Sequence, residues 1–237
     1  MEEQKPDFSN KAYLLPPINA EGYRFGAIAL AITLAVAVAA RWVPFLCGFV
    51  TPLALLTWGV VLFFRDPERY PPEDEKAIVS PADGRVCLVQ ECAMPDAFGE
   101  MPEHQGKTYW RVSVFMSVFN VHVNRMPTAG EILKKQYVAA GRFFNASLDK
   151  ASKENERCNY LVKADNGAVY AVTQIAGLVA RRIVPQVAEG DKKARAERFG
   201  LIRFGSRLDV YLPEGVVPSV RVGQIMVAGE TPLARFA

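Results

Sequence analysis

The stretch Leu201-Ile202-Arg203-Phe204-Gly205-Ser206-Arg207-Leu208-Asp209-Val210-Tyr211-Leu212 decides the fold of this chain. Two apolar runs rich in β-forming residues flank a Gly-Ser pair, and this pattern predicts a strand, an interruption and a second strand. Glycine at the interruption can adopt backbone angles that other residues avoid, and it lets neighbouring groups approach closely. By itself the pair is more often an ordinary β-bulge or hairpin, so its meaning depends on the rest of the chain.

A serine that follows glycine in a strained turn has a specific chemical option. We expect the hydroxyl of Ser206 to lie near the carbonyl carbon of Gly205, where its attack would convert the peptide bond into an ester. β-Elimination of that ester would leave a dehydroalanine, which hydrolyses to a pyruvoyl group at a new chain end. The stretch is therefore consistent with a chain that makes its own reactive carbonyl.

The region from residue 65 to 237 shows short β-like runs separated by turns. Helical periodicity is scarce there, and one short helix is predicted at Asp149–Glu156. Strands at this density predict an α+β fold with a compact, β-rich catalytic domain and Gly/Pro turns. The predicted strands are Ala77–Val79, Arg85–Gln90, Tyr109–Phe119, Glu131–Val138, Tyr160–Lys163, Val169–Ile175, Arg182–Val187, Leu201–Leu212 and Ser219–Val227.

The residues before this domain divide into a polar tail, 1–24, and an apolar region, 25–64. Arg41 is the only charge in the apolar region, and it separates uncharged runs of sixteen and twenty-three residues, Phe25–Ala40 and Trp42–Phe64. A helix needs about 20 residues to span a bilayer, so the second run is long enough and the first needs a few flanking residues. This pattern predicts a helical membrane hairpin.

Charges around the hairpin predict its orientation. Arg24, Arg65 and Arg69 flank it, whereas the turn carries Arg41 alone, so the positive-inside rule places both ends in the cytoplasm. We therefore expect the protein in the cell (inner) membrane, with its β-rich domain on the cytoplasmic face. The alternatives are a buried hairpin in a soluble protein and a single span with an interfacial first helix.

Composition narrows the function further. The 237 residues carry a net charge of +3, which is too mild to indicate a nucleic-acid partner and suits an anionic membrane surface. The four cysteines match no zinc spacing, and the sequence contains no phosphate-binding glycine loop, dinucleotide fingerprint or metalloprotease motif. We therefore predict no metal and no conventional diffusible cofactor, and the sequence leaves a homo-oligomer open.

Asp83 and His122 are the candidate acid and base. Asp83 lies in a Pro/Gly turn just before a strand, where it either caps its own backbone or orients a histidine or an amine. His122 follows an apolar run, and strand alternation places it on one polar strip with Asn120 and Asn124. It is the candidate general base near neutral pH. The other histidine, His104, falls in a polar loop and is predicted to be solvated.

Several stretches together resemble one family. They are Phe64–Arg69, Ser80–Val86, Phe119–Pro127 with Gly130, Gly141–Ser152 with Asn155–Arg157, and Arg198–Leu212. In consistent order over most of residues 64–237, they resemble the pyruvoyl-dependent phosphatidylserine decarboxylases, in particular their short bacterial branch. The N-terminal hairpin is similar to that family only in being hydrophobic.

The resemblance implies self-cleavage between Gly205 and Ser206. The larger chain would be 1–205 and the smaller one 206–237, which stays as its partner, and Ser206 would become a covalent pyruvoyl cofactor. That group would form a Schiff base with phosphatidylserine in the membrane, release CO2 and give phosphatidylethanolamine. The resemblance assigns Ser206, Gly205, His122 and Asp83 to the catalytic site.

Two departures from the family pattern affect the base. Phe204-Gly205-Ser206-Arg207 stands where the best-known bacterial members carry Leu-Gly-Ser-Thr, and Arg125 stands where they carry a second histidine. In the long branch that second histidine belongs to an Asp-His-Ser relay, so an intact relay does not transfer to this chain. Either His122 takes over as the base, or a strained Gly205–Ser206 peptide needs little assistance.

Two other functions fit parts of the sequence. Short strands and the tail Val220–Glu230 are similar to a biotinyl/lipoyl-like barrel, which predicts a non-enzymatic membrane-tethered adaptor with one intact chain. A carrier version needs an exposed lysine at a hairpin tip, and no lysine follows Lys193. A pyruvoyl decarboxylase of a soluble amino acid would have no use for the membrane hairpin.

Basic residues are concentrated in the C-terminal third of the chain. They are predicted to engage anionic headgroups, and a solvated basic loop is the alternative. These residues are Arg181, Arg182, Lys192, Lys193, Arg195, Arg198, Arg203 and Arg207.

Overall fold

Two apolar helices, α1 (Ala20–Ala39) and α2 (Cys47–Phe63), form most of the described N-terminal part, with a short 3-10 helix at Pro44–Leu46 between them. The structure is a computed structural model, and it describes residues 17–139, 155–177, 182–203 and 205–237. Helix α1 begins five residues before the predicted run, because the side chain of Asn19 caps it and accepts a hydrogen bond from the amide of Glu21.

The two helices have the length and composition of membrane spans. Ala20–Ala39 and Pro44–Phe63 are each 20 residues long and apolar enough to cross a membrane. Within this unit the hydroxyls of Thr33 and Thr57 lie 2.8 Å apart and join the helices, which matters where little water is available to satisfy them. Long apolar side chains such as Leu55 remain exposed, as expected for surfaces that face lipid.

The chain divides into two compact units, Met1–Glu68 and Arg69–Ala237, and the second unit is built from three antiparallel sheets. The largest has eight strands. In spatial order they are β12 (Ile225–Met226), β2 (Gly84–Cys92), β3 (Tyr109–Met116), β11 (Ser206–Tyr211), β7 (Val169–Ala176), β6 (Arg157–Ala164), β5 (Gly130–Val138) and β9 (Lys192–Lys193).

Two smaller sheets complete the second unit. One contains β4 (Val123–Arg125), β10 (Arg198–Arg203) and β8 (Arg182–Pro185), and the other contains β1 (Ala77–Val79) and β13 (Pro232–Arg235). A single helical turn, α3 (Asp96–Gly99), lies between β2 and β3 in the chain. The described structure is therefore β-rich with a few helices, in agreement with the predicted class.

One apolar cluster joins the three sheets. Leu208 of β11 contributes from the large sheet, Ile202 of β10 from the three-stranded sheet, and Leu233 of β13 from the two-stranded sheet. All three side chains are fully buried. Because successive residues of a strand face opposite sides, one face of the large sheet packs on this core and the other carries a different set of side chains.

The Gly-Ser interruption is a junction between sheets. The two runs of Leu201–Leu212 were expected to be two strands, and they are β10 and β11, but the strands pair with different neighbours. β10 pairs with β4 and β8, whereas β11 lies between β3 and β7. The chain therefore changes sheets between the end of β10 at Arg203 and the start of β11 at Ser206, and the hairpin interpretation is wrong.

Other predicted elements were correct in type and less accurate in extent. Ala77–Val79 is a strand as predicted, whereas Tyr109–Phe119 ends as a strand at Met116. Of Ser219–Val227 only Ile225–Met226 is a strand, because a turn with Gly223 at φ +94° precedes it. The predicted helix Asp149–Glu156 lies outside the described residues except for its last two positions, which are not helical.

Candidate active site at a strand junction

Ser206 is the first residue of β11 and is fully buried. Its Cα partners are Met116 on β3 and Ala176 on β7, so the strand is held on both sides from its first residue. The described partner of its hydroxyl is the sulfur of Met116 at 4.0 Å. A thioether is a weak acceptor, so the hydroxyl is not engaged in a strong hydrogen bond.

Gly205 gives the junction its shape. Its φ of +64° lies in the left-handed region, which glycine enters without steric penalty. Among the described residues, a Cβ built on Gly205 would meet nothing within 4 Å, so the backbone angle, and not crowding by these residues, favours glycine here. This conformation lets β10 and β11 leave the junction in different sheets.

His122 lies against the peptide that the sequence marks for cleavage. Its Nε2 atom accepts a hydrogen bond from the backbone amide of Gly205 at 3.3 Å, and its Nδ1 atom lies 2.9 Å from the carbonyl oxygen of Asn120. An amide can only donate and a carbonyl can only accept, so this pair of contacts places the ring proton on Nδ1. The buried ring thus presents the lone pair of Nε2 to the junction.

The loop before β4 holds this histidine in place. The side-chain oxygen of Asn120 accepts hydrogen bonds from the amide and hydroxyl of Ser117, at 2.9 and 2.8 Å. The carbonyl oxygen of Asn120 is therefore fixed in position for the His122 ring. Strand alternation in the sequence grouped Asn120 with His122. It did not reveal that Asn120 lies in a turn and binds the His122 ring through its backbone carbonyl.

A buried polar network, which the sequence analysis missed, extends from Ser206. Gln174 donates to the side chain of Asn124 at 2.8 Å and accepts from the hydroxyl of Tyr160 at 2.7 Å. Asn124 in turn donates to the sulfur of Met116 at 3.6 Å, and Ser206 contacts that same sulfur. Burial raises the pKa of Tyr160, so its hydroxyl stays protonated as a donor. Only the tertiary structure brings these polar residues of four strands, β4, β6, β7 and β11, together.

Asp83 lies elsewhere in the same unit. Its carboxylate binds the guanidinium of Arg69 at 2.9 Å and accepts from the amide of Ala228 at 2.8 Å. Because β3 separates β2 from β11, the strand that follows Asp83 is two strand spacings, about 10 Å, from the strand of Ser206. The structure therefore brings Gly205, Ser206 and His122 together and engages Asp83 in a different contact.

Arg125, the residue at the family's second histidine position, is buried and is directed to another part of the fold. Its guanidinium donates to the carbonyl oxygen of Ala196 at 2.9 Å. A Cβ built on Gly229 would lie 3.1 Å from the Cδ atom of Arg125, so this side chain passes close to the turn before β13.

Arg207 and Asp209 form a buried ion pair next to the junction. The Nε and Nη2 atoms of Arg207 donate to the two carboxylate oxygens of Asp209 at 2.8 and 2.9 Å. Both side chains are almost completely inaccessible. They occupy the face of β11 opposite to that of Ser206, because strand residues alternate. Arg207, which stands where the best-known bacterial members carry threonine, thus has a carboxylate partner two residues away in the chain.

Several basic residues of the predicted headgroup surface make contacts within the protein. Lys193 pairs with Glu197, Arg195 donates to the carbonyl oxygens of Pro72 and Asp74, and Arg207 is buried. The prediction is therefore wrong for Arg207, which is buried, whereas for Lys193 and Arg195, which also make contacts within the protein, it stays a prediction. Arg182 and Lys192 are exposed, and Arg181 lies outside the described residues.

His104 is not solvated as predicted. It is buried, and its Nδ1 atom lies 2.8 Å from the hydroxyl of Tyr109. Desolvation lowers the pKa of His104, because burial penalises the charged imidazolium. The loop composition suggested exposure, but a neighbouring strand covers the ring.

Fold and site together define a class: a β-rich protein whose candidate reactive serine lies buried at the junction of two sheets, beside a neutral histidine. Known proteins identify the family. The family model described as phosphatidylserine decarboxylase matches residues 56–234. The chain is 53% identical over 226 residues to the phosphatidylserine decarboxylase proenzyme of Erythrobacter litoralis, covering 93% of this chain and 88% of the relative.

Other relatives agree. Identity is 51% over 220 residues to the phosphatidylserine decarboxylase proenzyme of Ruegeria pomeroyi, covering 93% of this chain and 95% of the relative. It is 45% over 243 residues to the protein of the same name from Zymomonas mobilis, covering 99% and 94%. This chain therefore belongs to the phosphatidylserine decarboxylase family, which confirms the resemblance in its motifs, and it is a decarboxylase.

Proposed function

We propose that this chain decarboxylates phosphatidylserine to phosphatidylethanolamine after cleaving itself between Gly205 and Ser206. The observation that carries the proposal is the contact between His122 and that peptide: Nε2 of the ring lies 3.3 Å from the amide nitrogen of Gly205. The relatives with about half of their residues identical are named as proenzymes, which supports a processing step. These relatives do not favour the adaptor interpretation.

The cleavage would use groups that the junction already holds. The hydroxyl of Ser206 attacks the carbonyl carbon of Gly205, its proton passes to a base, and the peptide nitrogen is released from that carbonyl as the amine of an ester-linked serine. Removal of the α-proton of Ser206 then expels the carboxylate of Gly205 and leaves a dehydroalanine. Water replaces its nitrogen, ammonia departs, and residue 206 becomes pyruvoyl. Nε2 of His122 is the proposed base for the proton transfers.

The fold fits a reactive group at residue 206. β11 pairs with β3 and β7 along its whole length, so a break before Ser206 leaves the new chain end fixed in the middle of the large sheet. The small chain would also keep β13, which pairs with β1 of the large chain. We therefore propose that the two chains stay together as one enzyme.

The pyruvoyl group, once formed, would supply an electron-accepting carbonyl that stabilises the electron pair left on the α-carbon of the substrate when CO2 departs. The residues around it would bind and move protons. After cleavage, His122 belongs to the large chain and residue 206 to the small chain. The Nε2 atom of His122 can then donate a proton to the substrate after CO2 has left. The burial of Ser206, whose hydroxyl contacts the sulfur of Met116, limits the access of bulk solvent to the reacting atoms.

For the location, we propose the inner membrane with the β-rich unit in the cytoplasm. The two apolar helices and the excess of arginine outside the hairpin support this orientation. Asp83 has a separate proposed role: through its bonds to Arg69 and the amide of Ala228, it would position the turn before β2. It would not orient His122 directly.

Intact-mass measurement of the purified protein beside a Ser206→Ala variant tests the proposal. We expect two wild-type chains separated after Gly205, with the 32-residue small chain, 206–237, lighter by one ammonia than a peptide that begins with serine. The variant should remain one chain and be inactive towards phosphatidylserine. A single full-length wild-type chain with decarboxylase activity would overturn the self-cleavage mechanism, and two chains without activity would overturn the substrate assignment.

A further inference from the structure

A β-turn directly after β3 presents apolar side chains to solvent. The amide of Asn120 donates to the carbonyl of Ser117 at 2.9 Å and closes the turn. Its two tip residues, Val118 and Phe119, are 46% and 83% exposed. Turn tips usually carry Gly, Pro, Asn, Asp or Ser, so an exposed Val-Phe pair is an unusual choice for a water-facing turn.

A second turn, just before β12, has the same character. The amide of Gln224 donates to the carbonyl of Arg221 at 3.1 Å, with Val222 at the tip. Val222 and the neighbouring Ile225 are 62% and 66% exposed. The turn is anchored to the large sheet, because the amide of Gly223 donates to the carbonyl of Val86, the third residue of β2, at 2.8 Å.

The strand register places the first turn just beyond the Ser206 end of the large sheet, and it places the second turn beside Val86, in the same half of the sheet and about two residues in from that end. Met116, the Cα partner of Ser206, is the residue just before the first turn. Ile225 is paired with Arg85 and Arg85 with Phe115, which precedes Met116. With strands about 4.8 Å apart, β12 and β11 are about 15 Å apart across the sheet. The two turns therefore lie on the side of the sheet where the reactive residue is proposed.

Positive charge accompanies the apolar tips. Arg221 and Arg85 are both exposed at the second turn, and Nη1 of Arg85 donates to the carbonyl of Gly223 at 2.9 Å. Within the described part of the chain, no carboxylate forms an ion pair with either guanidinium. Apolar tips next to arginines match the boundary of an anionic bilayer, where acyl chains lie beneath phosphate groups.

We propose that these two turns form a membrane-docking rim, made of Val118, Phe119, Val222, Ile225, Arg85 and Arg221, that seats the Ser206 end of the β-rich unit on an anionic phospholipid bilayer. The inference rests on the proposed function, because it explains how a lipid that stays in the bilayer reaches a buried residue 206. The apolar tips enter the headgroup and acyl boundary, and each arginine strengthens attachment to an anionic surface about fivefold.

Tryptophan quenching in the full-length protein tests the rim directly. Phe119→Trp and Val217→Trp are the matched pair, because Val217 is 64% exposed but lies in the loop after the opposite end of β11. Each variant is reconstituted in phosphatidylcholine–phosphatidylglycerol vesicles with brominated acyl chains. The three native tryptophans give the same background in both.

We expect excess quenching over the parent protein for Phe119→Trp and none for Val217→Trp. Equal quenching of the two would overturn the proposal. A shielded, unquenched tryptophan at residue 119 with concentration-dependent self-association would also overturn it, because a second copy would then cover the turn. The same measurement can be made in the Ser206→Ala background, which requires neither self-cleavage nor decarboxylase activity. Failure of the docking proposal can therefore be distinguished from failure of the proposed function.

Kinetics provide an independent readout. The double variant Val222→Ser and Ile225→Ser, in the turn that does not hold His122, should raise the apparent KM for phosphatidylserine in vesicles roughly tenfold, because apolar burial in the bilayer is lost. Its kcat on a short-chain, monomeric phosphatidylserine and its content of cleaved small chain should match wild type. Val217→Ser should leave both substrates unaffected. Equal loss of activity on both substrates by the double variant would overturn the docking role.

Discussion

The Nε2 atom of His122 and the backbone amide of Gly205 lie 3.3 Å apart although the two residues are 83 positions apart in the chain. This contact sets the histidine tautomer, because the amide can only donate to Nε2. It also places the ring within one residue of the buried hydroxyl of Ser206. Asp83 shares no such contact, since its carboxylate binds Arg69 and the amide of Ala228.

Replacing His122 should slow self-cleavage and leave the fold intact. A positioned general base contributes a factor on the order of 10² to 10⁴ to a reaction rate. The rate of self-cleavage in His122→Gln should therefore fall by about that factor, and uncleaved precursor should accumulate. Gel analysis of the precursor over time after synthesis measures it. His104→Gln is the control, because the other histidine contacts Tyr109 instead of the junction. Equal cleavage rates in His122→Gln and wild type would show that the junction needs no histidine base.

Two glycine substitutions should differ sharply in their effect on stability. Gly205→Ala should cost about 1 kcal/mol of unfolding free energy, because the left-handed angle is strained but the site is open. Gly84→Ala should cost several times more, since its Cβ would lie 2.1 Å from the carbonyl oxygen of Phe115. Denaturant titration in the Ser206→Ala background, where the chain stays whole, compares them. A larger loss for Gly205→Ala would contradict the open geometry at the junction.

The Arg207–Asp209 pair should show strong coupling. Either Arg207→Met or Asp209→Leu alone should lower the unfolding free energy by about 3–5 kcal/mol, because each removes one partner of a buried ion pair. The double variant should be more stable than either single variant, because apolar side chains replace both charges. A double-mutant cycle by denaturant titration in the Ser206→Ala background measures the coupling. Additive losses would mean that the two charges act independently.

His104 should make the protein less stable in mild acid. Burial lowers its pKa below the unfolded value of 6.5, so the unfolded chain binds more protons as the pH falls from about 6.5 towards the folded pKa. The free energy of unfolding is therefore highest above pH 6.5, and it decreases as the pH falls from 6.5 towards the folded pKa of His104. Thermal unfolding at pH 5.5 and 7.5 should give a larger drop for wild type than for His104→Gln. The same drop in both proteins would assign the acid sensitivity to other groups.

The proposed orientation predicts which thiols a membrane-impermeant maleimide reaches. Cys47 begins α2, next to the turn between the helices, and is exposed, whereas Cys92 lies at the end of β2. In spheroplasts we expect Cys47 to be labelled and Cys92 to react only after lysis. Cys47→Ser provides the control for the assignment. Labelling of Cys92 before lysis would place the β-rich unit outside the cytoplasm.

Local pattern was sufficient for most of the secondary structure and for the family. Strands such as Val169–Ala176 were predicted within one residue, because alternation and bounding turns are local signals. The apolar runs predicted both helices, and α1 extended only because Asn19 supplied a cap upstream. The motif residues around Gly205, together with the other motifs in their consistent order, were sufficient to predict the family.

The sequence by itself determined that a glycine and a serine interrupt a strand-forming run, because glycine's backbone freedom is a property of the residue. Only the tertiary structure decided that β10 and β11 join different sheets and that His122, not Asp83, contacts the junction. It also decided that His104 is buried and that Arg207 has a partner in Asp209. These outcomes depend on which distant strands pair and on what each pairing desolvates, and neither is encoded in the spacing of residues along one segment.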